Sequence, residues 1–440
     1  MEQFQEKRVN ETSSLLEILR SEVKPALGCT GPVAVAFAVA VAKDAVGGTP
    51  RSVRVLMDKD TYVKNCAVGI PGIDTRGIPI ASALGAVAGV SEAGLEVLKK
   101  VTPADAERAK ALLPSVSVDI KWDFDGVGLY IETWVETDRG TGHALVAKKH
   151  DQVIFAEVDG KLVRGAYPSG FREVTDETRD PIREFPVEDL WAFALEEPLE
   201  NLLFLREAVT LNMALANQGF QEGIGENFGS GFKGIPSAGP ILKAKSMAAS
   251  AADARMSGQS LPAMSCATSG NVGITASVPL VVMARELGLD EEKMLRAIAL
   301  SFLLTIQVKS YIGRYSAFCA CAIGSSIGVA GGMVLLLGGN ARQADGAIRS
   351  VVGSTLGVLC DGAKHGCALK LSVAAGAAID SAYLAMQGSA IRGGDGFVCG
   401  TADETIRVMG RMAREGLGKA DETMCRLIFE RDREVAARQG

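Results

Sequence analysis

Apolar side chains at Leu15, Leu16, Ile18 and Leu19 recur with helical spacing, which predicts an amphipathic helix over Ser13–Val23 capped by Thr12 or Ser13. A second helix is predicted to begin at Pro32, because proline suits the first helical position and Thr30 or Gly31 can cap it. It should stop at Val46-Gly47-Gly48. From Arg51 to about Gly170 the pattern changes to alternating and β-branched stretches. Ser52–Met57, Ser115–Trp122, Gly128–Glu136, Ala144–Lys149 and Val153–Val158 read as strands, with turns at Arg139-Gly140 and Asp159-Gly160. Ile80–Val90 and Ala104–Leu113 carry helical spacing between them. Glu173–Pro186 is polar and punctuated by proline, as a linker would be. Beyond Val187 the segments are long and rich in Ala, Leu and Met, with almost no strand signal.

This pattern predicts an α+β fold. A small α/β domain with a mostly antiparallel sheet (49–172) packs on a larger all-helical domain (187–440), which the N-terminal helices (1–48) join. A chain of 440 residues exceeds what one hydrophobic core usually organises, so more than one domain is expected. Tyr315 to Ala341 has no ionisable group besides its cysteines and Tyr315, and is long enough on paper to span a bilayer. Glycines at 324, 328, 331, 332, 338 and 339 break it, and Gly338-Gly339-Asn340 reads as a helix stop, so a buried helical hairpin is expected and no membrane partner. The net charge of -6, without a run of Lys or Arg, argues against nucleic acid. Nine cysteines without the even spacing of a disulfide scaffold, behind an N-terminus with no apolar signal core, fit a reducing cytoplasm.

Four of those cysteines supply the candidate chemistry. Cys319 and Cys321 stand in Phe318-Cys319-Ala320-Cys321, and Cys360 and Cys367 bracket Asp361-Gly362-Ala363-Lys364-His365-Gly366, all in an apolar, alanine-rich region. Thiolates hold iron–sulfur clusters, and a cluster ligated by only three leaves one iron open as a Lewis acid. On a straight helix, residues seven apart lie about 10 Å from one another, so Cys360 and Cys367 need a loop, which Gly362 and Gly366 permit. Either Cys319 or Cys321 supplies the third ligand. Lone thiols filling helical cores are the bland alternative, since C-x-C and C-x6-C are weak patterns. Cys29, just before a predicted helix start, lies in the positive end of that helix's field, which favours a thiolate. Ser269, Gly270 and Asn271 read as a small polar loop ahead of a helix starting near Ala276. Lys64 and Asn65 follow a strand at the edge of a cleft, where they could neutralise a carboxylate. Asp253 and Arg255 read as a structural ion pair, and His365 as an exposed loop residue.

Glu22-Val23-Lys24-Pro25-Ala26-Leu27-Gly28-Cys29-Thr30, Lys64-Asn65 with Val68-Gly69-Ile70-Pro71-Gly72, Asp253-Ala254-Arg255-Met256, Ser269-Gly270-Asn271-Val272-Gly273-Ile274 and Cys360 through Lys370 together resemble the L-cysteine desulfidase family, a distant relation of the iron–sulfur L-serine dehydratases. The resemblance spans nearly the whole chain. It implies a 4Fe-4S cluster on Cys360, Cys367 and one of Cys319 or Cys321, with Cys29 as base and Thr30, Lys64, Asn65, Ser269, Gly270 and Asn271 around the substrate. The implied reaction cleaves L-cysteine to pyruvate, ammonia and sulfide. The chain departs from the family pattern at Gly31, where a glutamate is usual, and at Val272, where a glutamine is common.

β-Elimination needs a base for the Cα proton and electrophilic help for the leaving group, and a thiolate with an open iron supplies both. L-serine dehydration by the same chemistry is the first alternative. Pyridoxal-phosphate catalysis is another, since Thr268-Ser269-Gly270-Asn271-Val272-Gly273 resembles a substrate loop of such enzymes and Lys243 or Lys245 could form a Schiff base. A third is a non-catalytic iron–sulfur or sulfur-sensing protein. The expected partner is a small amino-acid substrate, and a homodimer is left open.

Overall fold

A computed structural model describes residues 14–27, 30–70, 73, 75–124, 129–168, 180–236, 239–313 and 316–439. The fold is α+β. Helix α1 (residues 14–22) runs into strand β1 (Val23–Leu27), then α2 (Thr30–Val46), β2 (Pro50–Asp58), α3 (Lys59–Asn65), α4 (Ile78–Ala88), α5 (Pro103–Leu112) and β3 (Val116–Lys121). Strands β4 (Tyr130–Thr137), β5 (Gly140–Ala147), β6 (Val153–Val158) and β7 (Lys161–Gly165) complete a sheet of order β3-β2-β4-β5-β6-β7. Only β2 and β3 run parallel; the other pairings are antiparallel, with β4–β5 and β6–β7 joined as hairpins through the short turns at Arg139-Gly140 and Asp159-Gly160. Strand β7, fully exposed along its length, gives no alternating burial signal and is not predicted by the pattern.

One sheet face is covered by α2, whose run of small apolar residues from Ala34 to Ala42 lets the backbones approach closely. A Cβ on Gly142 of β5 would lie 2.0 Å from the Ala42 carbonyl oxygen. The other face carries a polar network. His143 contacts Glu132 at 2.8 Å and Glu157 at 3.0 Å, stacks on Trp134 at 4.6 Å, and Tyr130 donates its hydroxyl to Glu132.

After residue 180 the chain is helical: α6 (Val187–Glu196), α7 (Leu199–Leu202), α8 (Leu205–Gly219), α9 (Phe228–Gly231) and α10 (Pro240–Met256) precede strand β8 (Pro262–Cys266), and α11 (Gly270–Glu286), α12 (Glu291–Ile312), α13 (Ser325–Leu336), α14 (Ala341–Thr355), α15 (Cys367–Met386), α16 (Ala402–Arg411) and α17 (Gly418–Gln439) follow it. Strand β8 corrects the all-helical expectation. It pairs antiparallel with β1, from Val23↔Cys266 to Leu27↔Pro262, and Ser265 Oγ donates to the Lys24 carbonyl at 2.6 Å. A five-residue strand whose partner lies 241 residues away leaves no local period to read.

The stretch around residues 316–341 is a buried turn and helix within the main core. Gly338 and Gly339 follow the end of α13 as predicted, but Gly328 and Gly332 are not breaks. Gly328 and Gly332 lie inside α13 on the face toward α12, where Cβ atoms would come within 2.3 Å of the Ser301 carbonyl and 2.7 Å of the Ala297 carbonyl. Helices α12 and α15 have the length and apolarity of membrane spans, and both are largely buried in the helical body. Asn340 caps α14 by accepting from Gln343 N at 3.1 Å, as the helix stop before it predicts. Helix α17 leaves the helical body and packs on the sheet side: Phe429 lies edge-on to Tyr62 at 5.2 Å and to Trp122 at 6.0 Å, and the Tyr62 hydroxyl donates to Asp432 at 3.0 Å.

Two outcomes follow from this packing. Gly328→Ala gains about 1 kcal/mol of helix propensity but forces a methyl against a backbone oxygen, a cost of about 1–3 kcal/mol, so a lowered midpoint in chemical denaturation is expected. A raised midpoint would contradict the close α12–α13 approach. In the sheet network, burial works to lower the His143 pKa and to raise that of Glu132. Their mutual contact and that with Glu157 win, so His143 titrates above its ordinary value and Glu132 below. The histidine therefore contributes stability below its unfolded value of 6.5, lost as pH rises through the folded one. The glutamate contributes above 4.5, lost as pH falls. The stability difference between wild type and His143→Gln should peak between those values and shrink on the alkaline side, measured by urea denaturation across pH.

Candidate metal centre and active site

Two loops from opposite ends of the α13–α14 excursion meet in a short ladder. Phe318 and Leu359 form an antiparallel bridge, Cys319 N donates to the Val358 carbonyl at 3.0 Å, and Cys360 N donates to the Ala317 carbonyl at 2.7 Å. This places Cys319 and Cys360 side by side, close enough to share a thiol hydrogen bond. Cys321 follows in the π-helical turn Ala320–Gly324, with its Sγ 3.3 Å from that of Cys319. Residues 360–366 form the non-helical loop that the spacing of seven demands, and Cys367 opens α15 at the loop's end. Gly362, at φ +90°, presses so closely on α3 that a Cβ would lie 2.0 Å from the Val63 carbonyl oxygen. Ala363 N donates to the Lys64 carbonyl at 3.2 Å. The cysteine loop therefore rests on the sheet side of the molecule.

All four thiols are free, and Cys319 and Cys367 are buried. Cys319 is held above its ordinary pKa first by the hydrogen bond with Cys321 and then by burial. Cys360 is raised first by Cys319 and then by burial, with Lys64 pulling the other way, and Cys367 is raised by burial. Adjacent buried thiols cannot all ionise unless a cation compensates, and a thiophilic metal centre is such a cation. The donor set fits a soft metal cluster. Around it stand three lysines. Lys64 Nζ donates to the Ser316 carbonyl at 3.3 Å and the Cys360 carbonyl at 3.4 Å, and Lys370 Nζ donates to the Leu359 carbonyl at 2.7 Å and to Asp361. Lys364 also donates to Asp361. Burial works to raise the Asp361 pKa, but Lys364 and Lys370 hold it down at about 2.

Lys64 and Asn65 end the short helix α3 rather than lying in a strand-edge loop. The Lys64 ammonium is spent on the cysteine-bearing segments, a positioning task in place of the expected carboxylate contact. Asn65 is buried, donates to the Thr61 carbonyl at 2.7 Å and fills the space beside Gly31, where a Cβ would lie 2.1 Å from its Cγ. A glutamate at 31 could not coexist with this placement of Asn65. Cys29 lies outside the described residues, and Thr30 is the first residue of α2.

Helix α11 begins at Gly270, not near Ala276, so Ser269 is its N-cap and Gly270 and Asn271 belong to its first turn. The preceding turn Cys266–Ser269 is closed by reciprocal backbone bonds of 3.1 Å and puts Ala267 at φ +46° and Thr268 at φ +67°. Two non-glycine residues in that region cost about 1–2 kcal/mol each. The turn is held by Lys309 Nζ on the Ala267 carbonyl at 2.6 Å and by Ala267 N on the Glu22 carbonyl at 3.0 Å. Asn271 is buried and accepts from Arg255 Nη1 at 3.1 Å. Asp253 turns away instead to the backbone N–H of Gly229 at 2.8 Å, so Asp253 and Arg255, two apart on one helix, serve different partners and the expected ion pair is corrected. Burial lifts the Asp253 carboxyl to about 6 against the pull of those amides. Ser325 Oγ donates to the Val272 carbonyl at 3.1 Å, which fastens the first turn of α11 to the turn carrying Cys321. Gly69 N donates to the Met256 carbonyl at 3.2 Å and closes the ring of contacts from the sheet side.

Residues 92–426 match the family described as serine dehydratase alpha chain. The chain belongs to that family. It is also similar along nearly its whole length to UPF0597 proteins. That of Caldanaerobacter subterraneus subsp. tengcongensis is 36% identical over 417 residues, covering 95% of this chain and 98% of the relative. That of Clostridium tetani is 34% identical over 423 residues, 96% and 100%, and that of Photobacterium profundum 37% over 420 residues, 94% and 97%. Membership in the serine dehydratase alpha chain family supports a lyase-type enzyme.

In this family member the turn before α11 is surrounded by helices, and β8 is the one strand among the described residues after 180, so the alternating strands of a pyridoxal-phosphate fold are not built here. Lys243 is exposed and pairs with Glu286 at 2.5 Å, while the Lys245 stem lies against Gly376 of α15. Sequence reasoning missed Lys370, because a lysine one turn into a helix looks solvated until its carbonyl partner is known. It also missed Asp60, Asp421 and Cys425, whose ligand atoms lie within 4.8 Å of one another as a candidate metal site. Lys59 already places a cation 3.2 Å from both carboxylates. His365 is half-buried rather than exposed; burial, then Arg76, keeps its pKa low. Outside the cysteine loop a groove of about 990 Å³ runs between Cys66, Asp361 and Lys364 on one side and α17 on the other.

Because Gly362 combines a left-handed φ with backbone contact, Gly362→Ala should destabilise the protein by about 2 kcal/mol and release the loop from α3. Cys360 and Cys367 should then react several-fold faster with a thiol reagent, followed by mass spectrometry of the labelled peptides. Labelling at the wild-type rate would show that the loop does not depend on this contact.

Proposed function

We propose that the chain is an iron–sulfur lyase of amino-acid catabolism that cleaves L-cysteine to pyruvate, ammonia and sulfide. The observation that carries this reading is the ladder that sets Cys319 beside Cys360, with Cys367 at the other end of the Cys360 loop and Lys64 and Lys370 on the backbone around them. Cys319, Cys360 and Cys367 would hold a 4Fe-4S cluster. Cys319 is preferred over Cys321 as third ligand because the backbone ladder ties it directly to Cys360. When bound, the cluster supplies one iron without a protein ligand, a Lewis acid for the departing sulfur.

The chain's own residues do the rest. Cys29, the residue before Thr30 in the sequence, takes the Cα proton as base. Thr30, Asn65 and the Ser269-Gly270-Asn271 turn hold the carboxylate and amino group, with Arg255 fixing Asn271 and Lys309 fixing the strained turn. Loss of the Cα proton and of the sulfur leaves aminoacrylate, which water converts to pyruvate and ammonia. A second reading, L-serine dehydration with hydroxide as leaving group, is favoured by the serine dehydratase description of the family. A reducing cytoplasm, where thiols stay free for a cluster, suits this reading.

Anaerobic reconstitution with iron and sulfide, followed by pyruvate assays on L-cysteine and L-serine, tests the proposal. Iron bound to the chain and faster pyruvate release from L-cysteine are expected, and Cys29→Ser should keep its iron but lose at least about 100-fold in turnover. Faster release from L-serine would select the second reading. Iron without pyruvate from either would leave a non-catalytic cluster protein, and a chain that takes up no iron would end the proposal.

A further inference from the structure

The peptide that carries Cys360 is gripped by two ammonium groups brought from different parts of the fold. Lys370, in the first turn of α15, donates to the carbonyl before it, that of Leu359, at 2.7 Å. Lys64, at the end of α3 on the sheet side, donates to the carbonyl of Cys360 itself at 3.4 Å and to that of Ser316, upstream of Cys319, at 3.3 Å. Both segments of the ladder are thus tied down by Lys64 alone. Asp361 is shared between Lys364 and Lys370, while Lys64 also lies in the field of Asp421 and Asp60. A lysine enclosed beside backbone carbonyls is a costly arrangement unless a negative partner offsets it. For Lys64 part of that partner is Asp421 and Asp60, and thiolates around a cluster would supply the rest.

We infer that Lys64 and Lys370 are positioning residues that fix the Cys360 peptide from two sides and, by their charge, set the reduction potential of the cluster. This inference rests on the iron–sulfur reading above. Cluster potentials follow net charge, hydrogen bonding and solvent exposure, and a nearby fixed cation favours the form that has gained an electron. Lys64 belongs to the sheet-side helix α3, whereas every cysteine of the set lies in the helical body. The sheet side of the molecule thereby contributes to the electronic setting of a centre to which it gives no ligand.

The test compares reconstituted wild type, Lys64→Met, Lys64→Arg, Lys370→Met and Lys370→Arg by iron content and by potentiometric titration followed by electron paramagnetic resonance. The Met variants should hold wild-type iron but titrate at a more negative potential, and the Arg variants, which keep the charge, should recover most of the shift. If a Met variant loses its iron, the Gln variant at that position is titrated instead and read in the same way. Met or Gln variants that titrate with wild type, or Arg variants that shift as far as Met, would overturn the inference while leaving the lyase reading intact. A wild-type chain that binds no iron would overturn both.

Discussion

Two backbone hydrogen bonds, Cys319 N to Val358 O and Cys360 N to Ala317 O, join segments about forty residues apart and make a centre out of scattered thiols. Between those segments the chain builds α13 and α14, and the ladder closes only because α13 seats against α12 with glycines on the shared face. Close helix packing and the thiol arrangement are therefore one constraint. A wider α12–α13 spacing would shift the turn that carries Cys319 and Cys321.

The second dependence crosses from the helical body to the sheet. Gly362 against Val63, Ala363 N on the Lys64 carbonyl, the Lys64 ammonium on Cys360 and Gly69 N on Met256 all join α3 and its following loop to the helical side. Helix α17 adds to this by returning to Tyr62 and Trp122. Each contact is small, since net hydrogen bonds contribute about 1 kcal/mol apiece. Their common effect is geometric: they hold α3, whose Asn65 lies against Gly31 of α2, next to the Cys360 loop.

Electrostatics explains why that ring suits a metal centre. Without a metal, Cys321 and then burial hold the Cys319 thiol up, Cys319 and then burial that of Cys360, and burial that of Cys367. The lysines alone do not reverse this. A bound cationic core would, and the lysines would then balance the remaining negative charge. The lyase class of the family is in keeping with such a site.

Helix α5 and strands β2 and β3 were legible because each buries one face, and burial of one face imposes a period of 3.6 or 2 on its own residues, whereas α2, buried nearly all round, was legible from Pro32 at its start and Gly47-Gly48 after its end. The need for a loop between Cys360 and Cys367 was legible for a similar reason, since helix rise is a local quantity. What the chain could not reveal locally are relations between distant segments: the β1–β8 ribbon, the start of α11 at Gly270, the separate partners of Asp253 and Arg255, the burial of His365 and the grip of Lys370 on Leu359. Gly328 and Gly332, which read as helix breaks, became packing positions once α12 lay beside them. Residue type and spacing determined which chemistry this chain can carry; which thiols and cations stand together was decided by tertiary contact, because hydrogen bonds and charges act through space and not along sequence.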